Sequence, residues 1–433
     1  MNGKAFKLLP IQILLPLFVT ALQIQWPILF QGSKVLLNLS DIFLPFILSY
    51  FLILALRTNF LSYLKALYLP FWFVVFTLWF GSSILFKYYH ANIFLTKVFF
   101  DNFLGWLVLI PYFFLGNFIA RTDEVLQRQH LDKGHAQSQI IILKTLFIST
   151  VLVSFIHLIA IFLNETHGPK PTGFFIDSNA FGLFLSFVIL LQIPCLLSKA
   201  IFPTWIQWAM LLCNSMVLLL TDSRAALIAL FTGLINFVVY NALRRKWRYV
   251  LLLGVLIPLG ILDYRHHSYF YTKILEISHL EYTEEQRMNT TIAALKWWQE
   301  RKVTGIGLGG FLSKQEEQHI TPTMIIHNTP LWFLTETGLI GVFLYGGFLM
   351  ISRNRVALLT KSNPKNEKFF TEGMLMIFPA FMVASVVTEI FYQRYLWFFL
   401  GLVLAKKETE ISLWDKFLIF LKQQRSEHRA AGI

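Results

Sequence analysis

Arg224, Arg287 and His327 are the residues of this sequence whose types and placement suit chemistry on an anion. Arg224 stands in "LLLTDSRAALIAL" (218–230), where one apolar run gives way to the next. An arginine there is either a snorkelling anchor, with Asp222 as its partner, or a fixed cation for phosphate. The second role would use the bidentate fork that only a guanidinium offers. Arg287 lies in "LEYTEEQRMNTTIAALKWWQERK" (280–302), which reads as an amphipathic helix. Alone it would be a solvated surface charge; Arg265, Lys273 and Lys296 make its surroundings basic, which suits an anionic ligand. His327 directly precedes a helix start, where Asn328 or Thr329 can cap and Pro330 fits the first turn. The positive end of a helix dipole disfavours imidazolium, so the ring is expected neutral and able to take a proton from a hydroxyl. The alternative is an interfacial histidine with no chemistry. His266, His267 and His279 are less well placed and read as loop residues.

Two further stretches border these candidates. "GFFIDSNAFGLFLSF" (173–187) opens with Asp177, Ser178 and Asn179, which either cap a helix or form a rim for a sugar or phosphate. "GIGLGGF" (305–311) is either a flexible turn or a nest of backbone N–H groups near a phosphate. It follows a helix rather than a strand, so it is no dinucleotide fingerprint. None of the eight aspartates forms a D-x-D pair and no His/Cys cluster has ligand spacing, so neither metal nor other cofactor is expected.

The elements that must position these residues are membrane helices. The chain is 56% hydrophobic and 14% charged, against roughly 25% charge in a soluble domain. Apolar runs long enough for a hydrocarbon core about 30 Å thick recur along it. An all-α polytopic fold with about twelve spans is expected, at 8–30, 41–56, 63–85, 98–119, 140–163, 179–197, 203–220, 223–241, 249–262, 329–350, 369–389 and 391–405. A β-barrel is excluded by the continuous rather than alternating apolar runs. Lys4 and Lys7 before an apolar stretch resemble a signal peptide, but no small-x-small cleavage site follows, so an uncleaved first helix is expected.

Charge sets the orientation. With the N-terminus in the cytoplasm, 24 of the 37 lysines and arginines fall in inner loops and tails and six in short outer loops; seven lie in 263–328, too long for the positive-inside rule. Both termini are thus expected inside and 263–328 outside. The net charge of +13 reflects these inner loops and needs no nucleic acid. Within the outer segment, Thr283 is expected to cap the amphipathic helix, and Trp297 and Trp298 suit a helix resting at headgroup level. Residues 406–433 read as a second amphipathic basic helix on the cytoplasmic surface. Cys195 and Cys213 lie in apolar segments and read as packing residues. No internal repeat is visible and paired mid-membrane polar groups are few, with Glu372 and Glu389 near span ends, which weakens a transporter reading.

Taken in order, "GFFIDSNAFG", "TDSRAALIAL", "RMNTTIAALKWWQERKVTGIGLGGF" and "HNTPLWFLTETGLIGVFL" resemble the O-antigen ligase/polymerase family of membrane glycosyltransferases, over roughly residues 173–345. Each stretch alone is weak; the ordered set is specific. The resemblance implies a fold of the GT-C-like kind. It also implies transfer of a glycan from undecaprenyl pyrophosphate to an acceptor on the periplasmic side, without metal. It assigns the essential arginines to Arg224 and Arg287 and the essential histidine to His327. Beside them, Arg265, Asn179 and Asn328 are candidate substrate contacts read from their positions in the sequence. Among its branches, the short outer loops other than 263–328 favour a ligase with a lipid A–core acceptor over a polymerase. Only about 28 residues follow the last span, which argues against protein O-glycosylation.

Overall fold

The computed structural model describes residues 9–30, 33–58, 70–88, 104–128, 137–163, 172–175, 177–242, 280–320, 325–362 and 368–405. The expected span at 249–262, the tail at 406–433, and Arg265, Lys273, His266, His267 and His279 lie outside the described residues. Thirteen helices run through the described part, in chain order α1 (Leu9–Ala21), α2 (Leu39–Thr58), α3 (Phe71–Tyr88), α4 (Leu104–Arg128), α5 (Gln137–Leu163), α6 (Ser178–Ser198), α7 (Thr204–Leu220), α8 (Arg224–Ala242), α9 (Leu280–Glu300), α10 (Gly310–Glu317), α11 (Thr329–Ser362), α12 (Lys368–Ala384) and α13 (Arg394–Leu404). Within α5, α6, α8 and α11 lie four stretches long and apolar enough to cross a membrane, and α7 and α13 are shorter apolar helices. This is a polytopic helical membrane architecture.

Two expected spans end early. The first, 8–30, stops at Ala21, and the chain turns into a hairpin of β1 (Gln25–Phe30) against β2 (Ser33–Asn38), with Gln25 opposite Asn38. Pro27 cannot donate to a helical ladder. The Asn38 side-chain amide instead donates to the Leu22 carbonyl at the end of α1 (2.9 Å). The eleventh span, 369–389, stops at Ala384, so Ser385 to Gln393 form a connection between α12 and α13.

Of the four span-length apolar helices α6 is the most enclosed, with 83% of its apolar stretch buried. It packs against α7, α8 and α12, while α4 lies along α13 and α3 along α11. Lipid-facing helices gain little from hydrophobic contrast, so close backbone approach must supply the packing. α4 and α13 cross at Gly116 and Gly401, where a Cβ on Gly401 would stand 2.0 Å from the Phe113 carbonyl oxygen. An aromatic cluster knits four elements: Trp106 of α4 stacks on Phe391 of the α12–α13 connection (5.2 Å) and meets Trp397 of α13 edge-on (4.9 Å), and Phe333 of α11 meets Phe391 edge-on (5.0 Å). Cys195 is buried in α6, Cys213 lies in α7, and both are free thiols.

Candidate functional site

Hydrogen bonds gather one end of the bundle. The Gln25 amide donates to the Phe174 carbonyl (2.8 Å), tying the hairpin to the approach to α6. Arg394 donates to Asp41 (2.8 Å), and Tyr112 donates to the same carboxylate oxygen (2.7 Å), so α2, α4 and α13 meet there. The Thr329 amide donates to the Ser385 carbonyl (2.8 Å), and the Thr329 hydroxyl accepts from the Ile390 amide (3.1 Å). The start of α11 is thereby seated on the connection between α12 and α13.

Asp177 caps α6, its carboxylate accepting from the Ala180 amide at 2.7 Å. Asn179 is exposed in the first turn of that helix. One turn further, α6 passes the turn between α7 and α8 at Gly182, where an added Cβ would stand 2.9 Å from both Thr221 and Ser223. In this turn Asp222 takes a left-handed backbone (φ 55°), a conformation that aspartate tolerates better than most residues. α8 then opens with Arg224, exposed at the helix N-terminus. A cation is disfavoured by the dipole there, whereas an anion is favoured by both the dipole and the guanidinium.

His327 lies just before α11, and Asn328 is the residue that caps it, accepting from the Leu331 amide at 2.9 Å. Its Oδ1 is thereby committed to the cap. Desolvation lowers the His327 pKa below the ordinary imidazole value; the Arg287 charge lowers it further, and Asp177 opposes both. The imidazole thus lies within electrostatic reach of α9 and of the α6 cap at once. The direction favours the neutral ring expected from the sequence, although desolvation rather than the helix dipole is its largest cause.

α9 begins at Leu280, so Thr283 is already inside the helix and is not its cap. Its buried face carries Thr290, Ala294 and Trp297, and Arg287 continues that face one turn toward the start of the helix. Trp297 does not rest among headgroups. It packs edge-on against Phe311 of α10 (4.9 Å), and half-buried Trp298 donates to the Lys302 carbonyl (3.0 Å).

The glycine-rich turn does form a nest of backbone N–H groups, but the anion it holds belongs to the chain itself. Gly305, Gly307 and Gly309 all have positive φ, and the resulting nest is filled by Glu336. This carboxylate is 1% exposed and accepts from the Gly309 amide (2.8 Å) and the Phe311 amide (3.4 Å). α11 is broken at Gly338 (φ 70°, ψ −169°), and the turn repairs the break. Ile306 and Gly307 amides donate to the Thr335 and Glu336 carbonyls, and Leu339 and Ile340 amides donate to Lys302 and Val303. A Cβ on Gly338 would stand 2.2 Å from the Val303 oxygen, so glycine is required on steric as well as conformational grounds.

Sequence reasoning did not single out Glu336 or Glu389. Glu336 falls within a quoted stretch, but nothing local marks it as the partner of a turn some thirty residues earlier. Glu389 counted as a span-end residue; it lies in the connection that seats Thr329, and burial pushes its carboxyl up to about 7.

Comparison with known proteins points to one class. Residues 209–346 match the family described as O-Antigen ligase. The chain is also 23% identical over 253 residues to the teichuronic acid biosynthesis protein TuaE of Bacillus subtilis (strain 168). That match covers 54% of this chain and 51% of the relative, so it spans about half the relative's length. Arg224, Arg287 and His327 all lie within the residues that match this family, in line with the resemblance read from the sequence.

Proposed function

We propose that this protein is an inverting membrane glycosyltransferase that moves a glycan from a polyprenyl diphosphate carrier to an acceptor hydroxyl. The observation that carries this reading is the electrostatic proximity of His327 to Arg287 and Asp177, at the start of α11. In the reaction, the His327 imidazole takes the proton of the acceptor hydroxyl as its oxygen attacks the anomeric carbon. The bond from that carbon to the diphosphate oxygen breaks, and the carrier leaves with the electron pair. Arg224 and Arg287 neutralise the diphosphate, where charge-assisted, bidentate hydrogen bonds are strongest. No step requires a metal or other cofactor.

The first reading is an O-antigen ligase with undecaprenyl pyrophosphate as donor carrier and lipid A–core as acceptor, on the periplasmic face of a bacterial inner membrane. Twelve spans, cytoplasmic termini and a periplasmic 263–328 segment accompany it, supported by the charge asymmetry of the loops. The name of the curated relative favours a second reading, because teichuronic acid biosynthesis points to making a polysaccharide rather than to a lipid A acceptor. In that case the acceptor is another carrier-linked glycan and the enzyme is a polymerase. Deleting the protein separates the two. A ligase leaves full-length glycan on the carrier and a rough surface, whereas a polymerase leaves single repeat units.

A further inference from the structure

α9 and the first half of α11 form a fork. At its base the Thr335 hydroxyl lies 3.4 Å from the Ala294 carbonyl, and the turn at 301–311 is laced to residues 335–340. From Ala294 back to Arg287 is seven residues, or about 10 Å of helix. From Thr335 back to Thr329 is about 9 Å, with His327 two residues beyond. Because the Arg287 charge reaches the His327 ring, the two prongs run the same way and end at the same level.

We infer that Glu336 is the positioning residue of this fork, holding Arg287 against His327 from two helical turns away. Of the side chains at the base, its carboxylate is the one that fills the glycine nest, and its two acceptors bind amides at the junction of the turn and α10. Without it two buried amides would lose their hydrogen bonds to the carboxylate, a desolvation cost that falls on the turn itself. Once the turn opens, the break at Gly338 loses its donors and acceptors, and α9 is freed to swing against α11. The inference rests on the proposed function only for its catalytic consequence.

The test uses full-length protein in detergent. Modification of His327 by diethyl pyrocarbonate is followed on the His327 peptide by mass spectrometry across pH. In the wild type, the midpoint falls below the ordinary imidazole value. Arg287→Gln moves it up by removing the lowering charge. Glu336→Gln moves it up in the same direction, and the double variant moves it no further than Arg287→Gln alone. Glycan transfer falls by roughly 10- to 100-fold in Glu336→Gln, the scale expected when reacting groups shift by about an ångström. A general loosening of the protein would lower yield without making the two substitutions equivalent at His327. If Glu336→Gln does not fold, Glu336→Asp carries the same titration, with a partial shift expected. A His327 midpoint unchanged by substitution at Glu336, while Arg287→Gln moves it, overturns the inference. Should wild-type protein show no transfer at all, the proposed function fails while the titration still decides the role of Glu336.

Discussion

The two candidate arginines are held by opposite means. Arg224 opens α8, which is clamped by packing: the Ser186 hydroxyl donates to the Ala226 carbonyl (2.7 Å), and Gly233 lies so close to Leu190 that an added Cβ would stand 2.6 Å from it. Arg287 and His327 stand on the fork, held by backbone hydrogen bonds through a broken helix and a glycine turn. Packed helix faces give way gradually when a contact is lost. A buried hydrogen-bonded junction fails more abruptly, because each unpaired group adds its full desolvation penalty. Changes near Arg224 should therefore act locally, and changes around the fork should disturb two functional residues together.

The largest expected effect is at the tip of the fork. His327→Ala should reduce transfer by about 10² to 10⁴, the usual worth of general-base help, while the protein still inserts and still binds the lipid-linked donor. Donor retention in membranes alongside a single-turnover assay measures both. Near-normal turnover at matched protein level removes the histidine from the chemistry, and loss of donor binding makes it a binding residue instead.

Lysine replacements come next and set the two arginines side by side. Arg224→Lys and Arg287→Lys keep the charge and lose the bidentate fork. With charged hydrogen bonds worth about 1.5–3 kcal/mol, each should cost about 10- to 100-fold in kcat/KM, with alanine worse. Only Arg287→Ala should also shift the titration of His327, because Arg287 is the arginine whose charge reaches that ring. Wild-type kinetics for both residues as Lys and as Ala would make them anchors.

Much of this arrangement was legible beforehand, and the exceptions share a cause. Apolar runs placed α6, α7 and α8 to within a residue or so of their observed ends, because a membrane helix is specified by local hydropathy. The cap at Asn328 was likewise local, whereas the lowered His327 pKa, expected from the helix dipole, comes from desolvation and the Arg287 charge. The hairpin at 25–38 was missed because its polar supports, Asn38 to Leu22 and Gln25 to Phe174, come from elsewhere in the chain. The glycine turn was misjudged for the same reason: its anion is Glu336, a residue whose role is fixed only by tertiary contact. Trp297 looked interfacial because sequence could not reveal Phe311 beside it.

A smaller effect tests which group beside the seated end of α11 is the base. With the His327 pKa lowered, the acid limb of the rate profile should have its midpoint below the ordinary imidazole value, with activity held above it and lost as the ring protonates. Arg287→Gln should shift that midpoint up. Glu389, at about 7, gives a different signature. A limb centred there that disappears in Glu389→Gln would move the base role to the connection between α12 and α13.

The smallest effect belongs to Asn328, where structural and substrate roles compete. Its Oδ1 caps α11, so Asn328→Ala should cost about 0.5–2 kcal/mol of stability, measured as a lower thermal midpoint in detergent. Asn328→Asp keeps an acceptor for the Leu331 amide and adds a negative charge that the helix dipole favours. The stability of the aspartate variant should therefore match the wild type. If the residue only caps, its transfer should match as well. If the amide nitrogen also donates to the glycan or the diphosphate, Asn328→Asp should raise the donor KM severalfold despite an intact helix start. Normal transfer in the aspartate variant would confine Asn328 to the cap and leave His327 as the functional group at that end of the fork.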